Sequence, residues 1–256
     1  MKRRLPILLA LMLAGCQCLQ AQSESGKSQV IPLSHKFALD QTVRYKIVQH
    51  ITGSRAFPGS EKATPIDALV TSVIRIRCIQ VSGDGSAGIS IEIESGSVKI
   101  GKRAANAFAA GSMPRTLHVT PSGKVTFPQQ EEQVGDSSTR RVLMDCGAIE
   151  PLIILGSLPE QAVALGGSWS ADAVLPSSAA VKINSTLQEV RDVSGERGAV
   201  IKQTQTSTGD SAARQEAQST LVFGLDTGWL LSAEGSIHSV NTWTLDSKYT
   251  VEMLKG

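Results

Sequence analysis

"VIRIRCIQVSGDGSAGISIEIES", residues 73–95, decides how the rest of the chain is read. Gly83, Gly85 and Gly88 match G-x-G-x-x-G, the spacing of a dinucleotide-binding loop. Such a loop works only where a helix follows, because the first amides of that helix hold the pyrophosphate. Here Ile89, Ile91 and Ile93 alternate with Ser90, Glu92 and Glu94, which is the period of a strand. Ahead of the glycines, Ile74, Ile76 and Cys78 alternate with Arg75 and Arg77. Setting Cys78 opposite Ile91 brings Ile76 to Ile93, Arg77 to Glu92 and Arg75 to Glu94. One face is then apolar and the other pairs opposite charges, an arrangement that favours an antiparallel ladder. The glycines therefore mark a bend over 82–87, where Asp84-Gly85 suits the positive φ of a tight turn.

Working outward, the same period recurs. Residues 41–52 place Val43, Tyr45, Ile47 and Gln49 on one side, and 115–127 fold back at Pro121-Ser122-Gly123. Strands are expected again over 181–193, 199–206, 220–225 and 229–236, with a strand-like C-terminus. Residues 102–113 are Ala-rich and read as a short helix or a loop. Between the β-rich stretches, 137–158 changes character: Val142, Leu143, Cys146, Ile149, Ile153 and Ile154 recur at helical spacing, with Pro151 as a break or kink. Val81-Ser82-Gly83-Asp84 is echoed by Val193-Ser194-Gly195-Glu196, and Pro121-Ser122-Gly123 by Asp226-Thr227-Gly228. The order of these turns suggests a duplicated unit. The expected class is mainly β, with antiparallel curved sheets or a half-barrel, duplicated, around a central helix. The expected divisions are a signal segment at 1–15, a tether at 16–34, a first β half at 35–136, a helical connector at 137–158 and a second β half at 159–256.

The N-terminus speaks to location. Lys2, Arg3 and Arg4 precede an apolar run from Leu5 to Ala14. That run is shorter than the ~20 residues needed to span a bilayer and fits a cleaved signal. Leu13-Ala14-Gly15-Cys16 closes it and resembles the lipobox of bacterial lipoproteins. The resemblance implies cleavage before Cys16, lipidation of its thiol and anchoring in a membrane. Cys18 lacks the preceding Leu-small-small run. Gln17, in place of the Asp that retains enterobacterial lipoproteins in the inner membrane, points to the outer membrane and its periplasmic face.

Without residues 1–15 the chain carries 22 basic and 23 acidic residues, no footprint for nucleic acid. Of the remaining cysteines, Cys78 and Cys146 either pair in an oxidising envelope or stay as small buried thiols. His35, His50, His118 and His238 are scattered without metal-ligand spacing, and no cofactor is implied. Residues 84–88 lack the first glycine of a nucleophile elbow. Glu131 and Glu132 read as a solvated loop, and Trp169, Trp229 and Trp243 as packing residues. The hairpin TPSGKV, the central apolar segment and LP followed by GGSW resemble uncharacterised bacterial envelope lipoproteins with a duplicated half-barrel. The chain is similar, more distantly, to lipoprotein carriers whose curved sheet encloses an acyl chain. The resemblance implies no established activity and no catalytic residues. A half-barrel with a helix across it leaves a concave apolar face, so the expected role is a non-enzymatic protein binding an apolar ligand or an envelope partner, with an assembly factor as the alternative.

Overall fold

The computed structural model describes residues 30–55, 63–103, 105–109, 115–126, 156–174, 180–208, 214–240 and 243–255. Fourteen strands occupy them: β1 (Val30–Ile31), β2 (Thr42–Arg55), β3 (Thr64–Val81), β4 (Ala87–Ile100), β5 (Asn106–Ala109), β6 (Arg115–Val119), β7 (Val125–Thr126), β8 (Val163–Ala164), β9 (Ser168–Val174), β10 (Ala180–Val193), β11 (Glu196–Ser207), β12 (Arg214–Gly224), β13 (Leu230–Val240) and β14 (Trp243–Leu254). All but β1 and β8 belong to one antiparallel sheet, ordered β7-β6-β4-β3-β2-β14-β13-β12-β11-β10-β9, with β5 beside β4. The sheet curls until it is nearly closed: Val125 on one edge strand packs against Val181 and Ile183, next to the other edge.

Period two builds this wall. Tyr45, Ile47 and Ile51 of β2, Ile74, Ile76 and Cys78 of β3, and Val251 of β14 all face inward and are buried. Arg44, Arg75 and Arg77 point outward. Arg75 Nη2 meets Glu92 at 2.6 Å, Arg44 meets Glu94 at 2.7 Å, and Arg77 meets Asp40 at 2.6 Å. The expected faces are therefore the observed ones, but the register differs by one pleat. Cys78 lies opposite Ile89, Ile76 opposite Ile91 and Arg75 opposite Glu92. A bulge between Cys78 and Gln80 leaves Ile79 unpaired and shifts the pairing by one residue, and the turn, closed by Val81 opposite Ala87, shifts it by another, so each side chain keeps its face. The bend itself is short. Ser82 N–H donates to Ser86 O, Asp84 Oδ1 accepts from Ser86 N–H at 2.9 Å, and Gly85 alone of the motif's three glycines takes positive φ.

Several expectations change. Asn106–Ala109, within the stretch read as helix or loop, is a strand paired to β4, so its alanines serve a sheet edge. The helical connector at 137–158 lies outside the described residues except for 156–158, which are irregular, and no helix occurs among the described residues. The end of the stretch read as tether is part of the body: Val30–Ile31 pairs with β8, and Ile31 and Leu33 are buried in the core. The two β stretches on either side of 137–158 also share one sheet, because β14 pairs with β2 over twelve residue pairs. An antiparallel meander puts alternate turns at the same end in any case, so the recurring turn sequences do not establish a duplication.

One end of the barrel is packed solid. There the 30–41 segment crosses the opening: His35 N–H donates to Pro121 O, the His35 ring meets Gly228 O at 2.9 Å, and Asp40 N–H donates to Cys78 O. His35 is buried among Phe37, Phe223 and Trp229, with ring centroids 5.3 to 5.9 Å away. Leu158 N–H donates to Ser122 O and Trp169 Nε1 to Ser157 O, so this segment ties the two edge regions together.

Candidate functional site

Above the packed end, the inner face changes chemistry. Following the register across the sheet gives one continuous row: Gln49 (β2), Tyr249 (β14), Gly235 (β13), Ser219 (β12), Gln203 (β11) and Ser185 (β10). Each occupies the phase that, one pleat nearer the packed end, holds Ile47, Val251, Ala233, Leu221, Ile201 and Leu187. No side chain in this row, or in the two inward rows beyond it, is charged. Gln49 Nε2 donates to Ser247 Oγ at 2.7 Å, and Gln203 Nε2 to Ser185 Oγ at 3.3 Å.

Tyr249 is the odd member. Its ring lies across Gly235, where a Cβ would stand 2.7 Å from the phenol oxygen, so only glycine leaves room for it. The residue is 3 % exposed, and among the described residues its Oη makes no well-formed hydrogen bond, with only the Ser219 side chain near it. Ser219, two strands away, lies near enough to oppose the effect of burial, but burial dominates and pushes the phenol up to about 12. A desolvated hydroxyl without a partner costs roughly 1–3 kcal/mol. Tyr45, one layer down, shows the ordinary solution: its Oη donates to Leu230 O at 2.9 Å.

Beyond the row lie two apolar clusters on opposing walls. One comprises Ile51, Ala68, Val70 and Leu245; the other, Val181 and Ile183. Among the described residues the two do not merge with each other, while Val125 packs against both the second cluster and the main core. Between them Ser247, Ala217 and Gln205 face inward and are buried, while Ile237, which packs against the main core, and Ser239 are half-buried. Among the described residues this end is lined by polar and small side chains rather than by the rings of the packed end.

The residues singled out from sequence fall elsewhere. Cys16, Cys146, Glu131 and Glu132 lie outside the described residues. Cys78 is a buried thiol in the main core, its Sγ 3.5 Å from Gln80 O, and burial raises its pKa. His50 and His238 sit on the outer face beside Asp67 and Asp246, at 2.9 and 2.7 Å, and His118 is exposed. Trp229 is fully buried in the packed end and Trp169 packs against the core, while Trp243 opens β14. No group of three metal-ligating side chains occurs among the described residues. A polar hollow of about 420 Å³ on the outer face of β9–β11, lined by Ser168, Asn184, Thr186 and Lys202 among others, continues the hydrated exterior.

The row escaped the sequence reading because its members are scattered between residues 49 and 249. Its signal was nonetheless present. Gln49 interrupts the inward series Tyr45, Ile47, Ile51, and Gln203 follows Ala199 and Ile201 in the same phase.

No family model and no curated protein matches the chain. Among solved structures it is similar to lipovitellin, from a study of lipid–protein interactions in that protein, with 11 % identity and a TM-score of 0.53, over 86 % of this chain and 25 % of that one. The chain thus spans a quarter of the lipovitellin chain, and the likeness is one of fold. Two further structures superpose too loosely to carry weight. One is an outer membrane channel from Pseudomonas putida F1, at 10 % identity and TM-score 0.27 over 88 % of this chain and all of that one. The other is a LolA superfamily protein from Nitrosomonas europaea, at 8 % identity and TM-score 0.16 over 86 % and 89 %.

The distribution of charge separates this barrel from a membrane channel. A lipid-embedded barrel turns an apolar band outward and polar side chains inward. Here Arg44, Arg75, Lys182, Lys202, Glu234 and Lys248 point outward from strands, and the apolar residues point inward. An Arg or Lys at the bilayer midplane costs about 2–4 kcal/mol, so these outward charges oppose burial of the strands in lipid.

Proposed function

We propose that this chain is a lipid-anchored envelope protein that holds an apolar ligand inside its barrel and performs no chemistry on it. The observation that carries the reading is the inner face beyond the polar row, where, among the described residues, two separate apolar clusters lie on different strands of the curled sheet. Apolar concavities with a few polar groups are where small molecules bind. The fold likeness to lipovitellin supports the idea, since that structure concerns lipid–protein interactions. Native mass spectrometry of the full chain released gently from membranes tests it. An apolar compound at near-stoichiometric amounts is expected. A ligand-free chain that also fails to bind an uncharged fluorescent apolar probe overturns the reading.

The anchor is Cys16, with thioether lipidation in the outer membrane facing the periplasm. Two or three acyl chains, at about 0.8 kcal/mol per buried methylene, hold a protein stably on a bilayer. Cys16 lies ahead of Val30–Ile31 in the chain, and that strand pairs with β8. Metabolic labelling with a palmitate analogue is expected to mark the protein. A Cys16→Ser variant that still takes the label sinks the assignment.

A second reading, docking of an envelope protein, is favoured by one feature. Leu39 and Ile79, 63 % and 43 % exposed, lie side by side at the packed end, where Asp40 N–H holds Cys78 O. In-cell crosslinking from position 39 would have to recover a discrete adduct for that reading to stand.

A further inference from the structure

The row of Gln49, Tyr249, Gly235, Ser219, Gln203 and Ser185 also says which kind of apolar molecule the barrel would take. We infer that the ligand is an uncharged amphiphile, seated with its hydrogen-bonding head at this row and its hydrocarbon between the two apolar clusters beyond it. The inference rests on the carrier reading above and adds the chemistry of the head group.

Three observations lead there. First, the row supplies donors and acceptors at one level, between an apolar floor and apolar walls. Ile47, Val251 and Leu221 lie one pleat below, and Ile51, Leu245 and Ile183 lie beyond. A plain hydrocarbon would leave these polar groups desolvated, whereas a molecule with one polar end matches the order of layers. Second, Tyr249 Oη is buried with no well-formed hydrogen bond, only the Ser219 side chain lying near it, whereas Tyr45 on the next strand donates to Leu230 O. Native structures rarely leave such a group unsatisfied, and an acceptor on a ligand would complete it. Third, the row and the two inward rows beyond it hold no cation. A sulfate, phosphate or carboxylate brought to this depth would lose its hydration with no counter-charge, the costliest way to bury a polar group. A hydroxyl, ester or amide has no such cost. With the phenol held up near 12, Tyr249 remains a neutral donor at physiological pH.

The test uses the full chain, stripped of endogenous lipid, with three probes that share one hydrocarbon: oleyl alcohol, oleyl sulfate and octadecene. Binding is measured by competition against an uncharged fluorescent probe, for the wild type, Tyr249→Phe and Gln203→Lys. The alcohol is expected to bind tightest in the wild type and the sulfate weakest. Tyr249→Phe is expected to weaken the alcohol by roughly two- to tenfold, the value of one hydrogen bond, and to leave octadecene unchanged. Gln203→Lys, which places a cation in the row, is expected to improve the sulfate relative to the alcohol. Sulfate binding in the wild type that equals or exceeds the alcohol overturns the uncharged head while leaving the carrier reading intact. Equal alcohol affinity in wild type and Tyr249→Phe removes the head from the row. Failure of all three probes to bind ends both readings.

Discussion

Tyr249 concentrates the conflict between stability and use. Its ring is well placed, covering Gly235 as an aromatic commonly covers a glycine on a neighbouring strand, but its hydroxyl is stranded. Removing the oxygen removes a desolvation cost, and the neighbouring Ser219 hydroxyl, which makes no well-formed bond to it, is only half-buried. Tyr249→Phe is therefore expected to stabilise the ligand-free protein by about 1 kcal/mol, raising its Tm by roughly 2–4 °C in thermal unfolding. A decrease would mean that the oxygen has a structural role. Gly235→Ala should act in the opposite direction, because the added methyl collides with the same phenol and with the β12 backbone. Overpacking of this kind costs typically about 1–3 kcal/mol, read in the same melt.

At the scale of the strand, the two faces of β3 and β4 are unequal in weight. The outward pairs Arg75–Glu92 and Arg44–Glu94 have good distances, but their arginine side chains are 44 % and 46 % exposed. Solvent-screened pairs contribute at most about 1 kcal/mol. Inward, Ile76 and Ile89 are fully buried, and truncating such a residue costs about 2–5 kcal/mol. Chemical denaturation should thus show Ile76→Ala strongly destabilised and Glu92→Gln within about 1 kcal/mol of wild type. The reverse ranking would mean that the charged ladder holds the sheet. This inequality also explains why face assignments survive the error in register. Burial fixes the phase of each strand, whereas the outward charges tolerate a shift of one pleat, as Arg75 does by contacting both Glu92 at 2.6 Å and Glu94 at 3.8 Å.

For the whole molecule, the N-terminal crossing matters most. Ile31 and Leu33 are buried 5 % and 3 % exposed beneath the edge regions, where β1 meets β8. Burying two such side chains contributes roughly 3–6 kcal/mol. A chain begun at residue 35, the boundary suggested by polarity alone, is expected to melt well below one begun at residue 29 and to bind hydrophobic dyes. Equal stability of the two would show that the crossing only decorates the barrel. The contrast between the ends follows from the same packing: Trp229, Phe223, His35 and Phe37 fill one end with rings, and among the described residues no such ring cluster gathers around Val181 or Leu245.

Alternation alone determined the class of fold, the faces of the long strands and the bends at 82–87 and 121–123, because period two with glycine and proline punctuation has no competing interpretation. Sequence also excluded the nucleotide loop, since a strand follows where a helix is required. It could not reveal that both β stretches share one sheet, because the β2–β14 pairing joins residues some two hundred positions apart. Nor could it show that Ile31 and Leu33 are core, since the four-residue apolar run at 30–33 is too short to carry a period. The polar row is the clearest case. Each of its members looks like an isolated lapse in an apolar phase, and only the closing of the sheet, which aligns six strands in one register, turns six lapses into a belt.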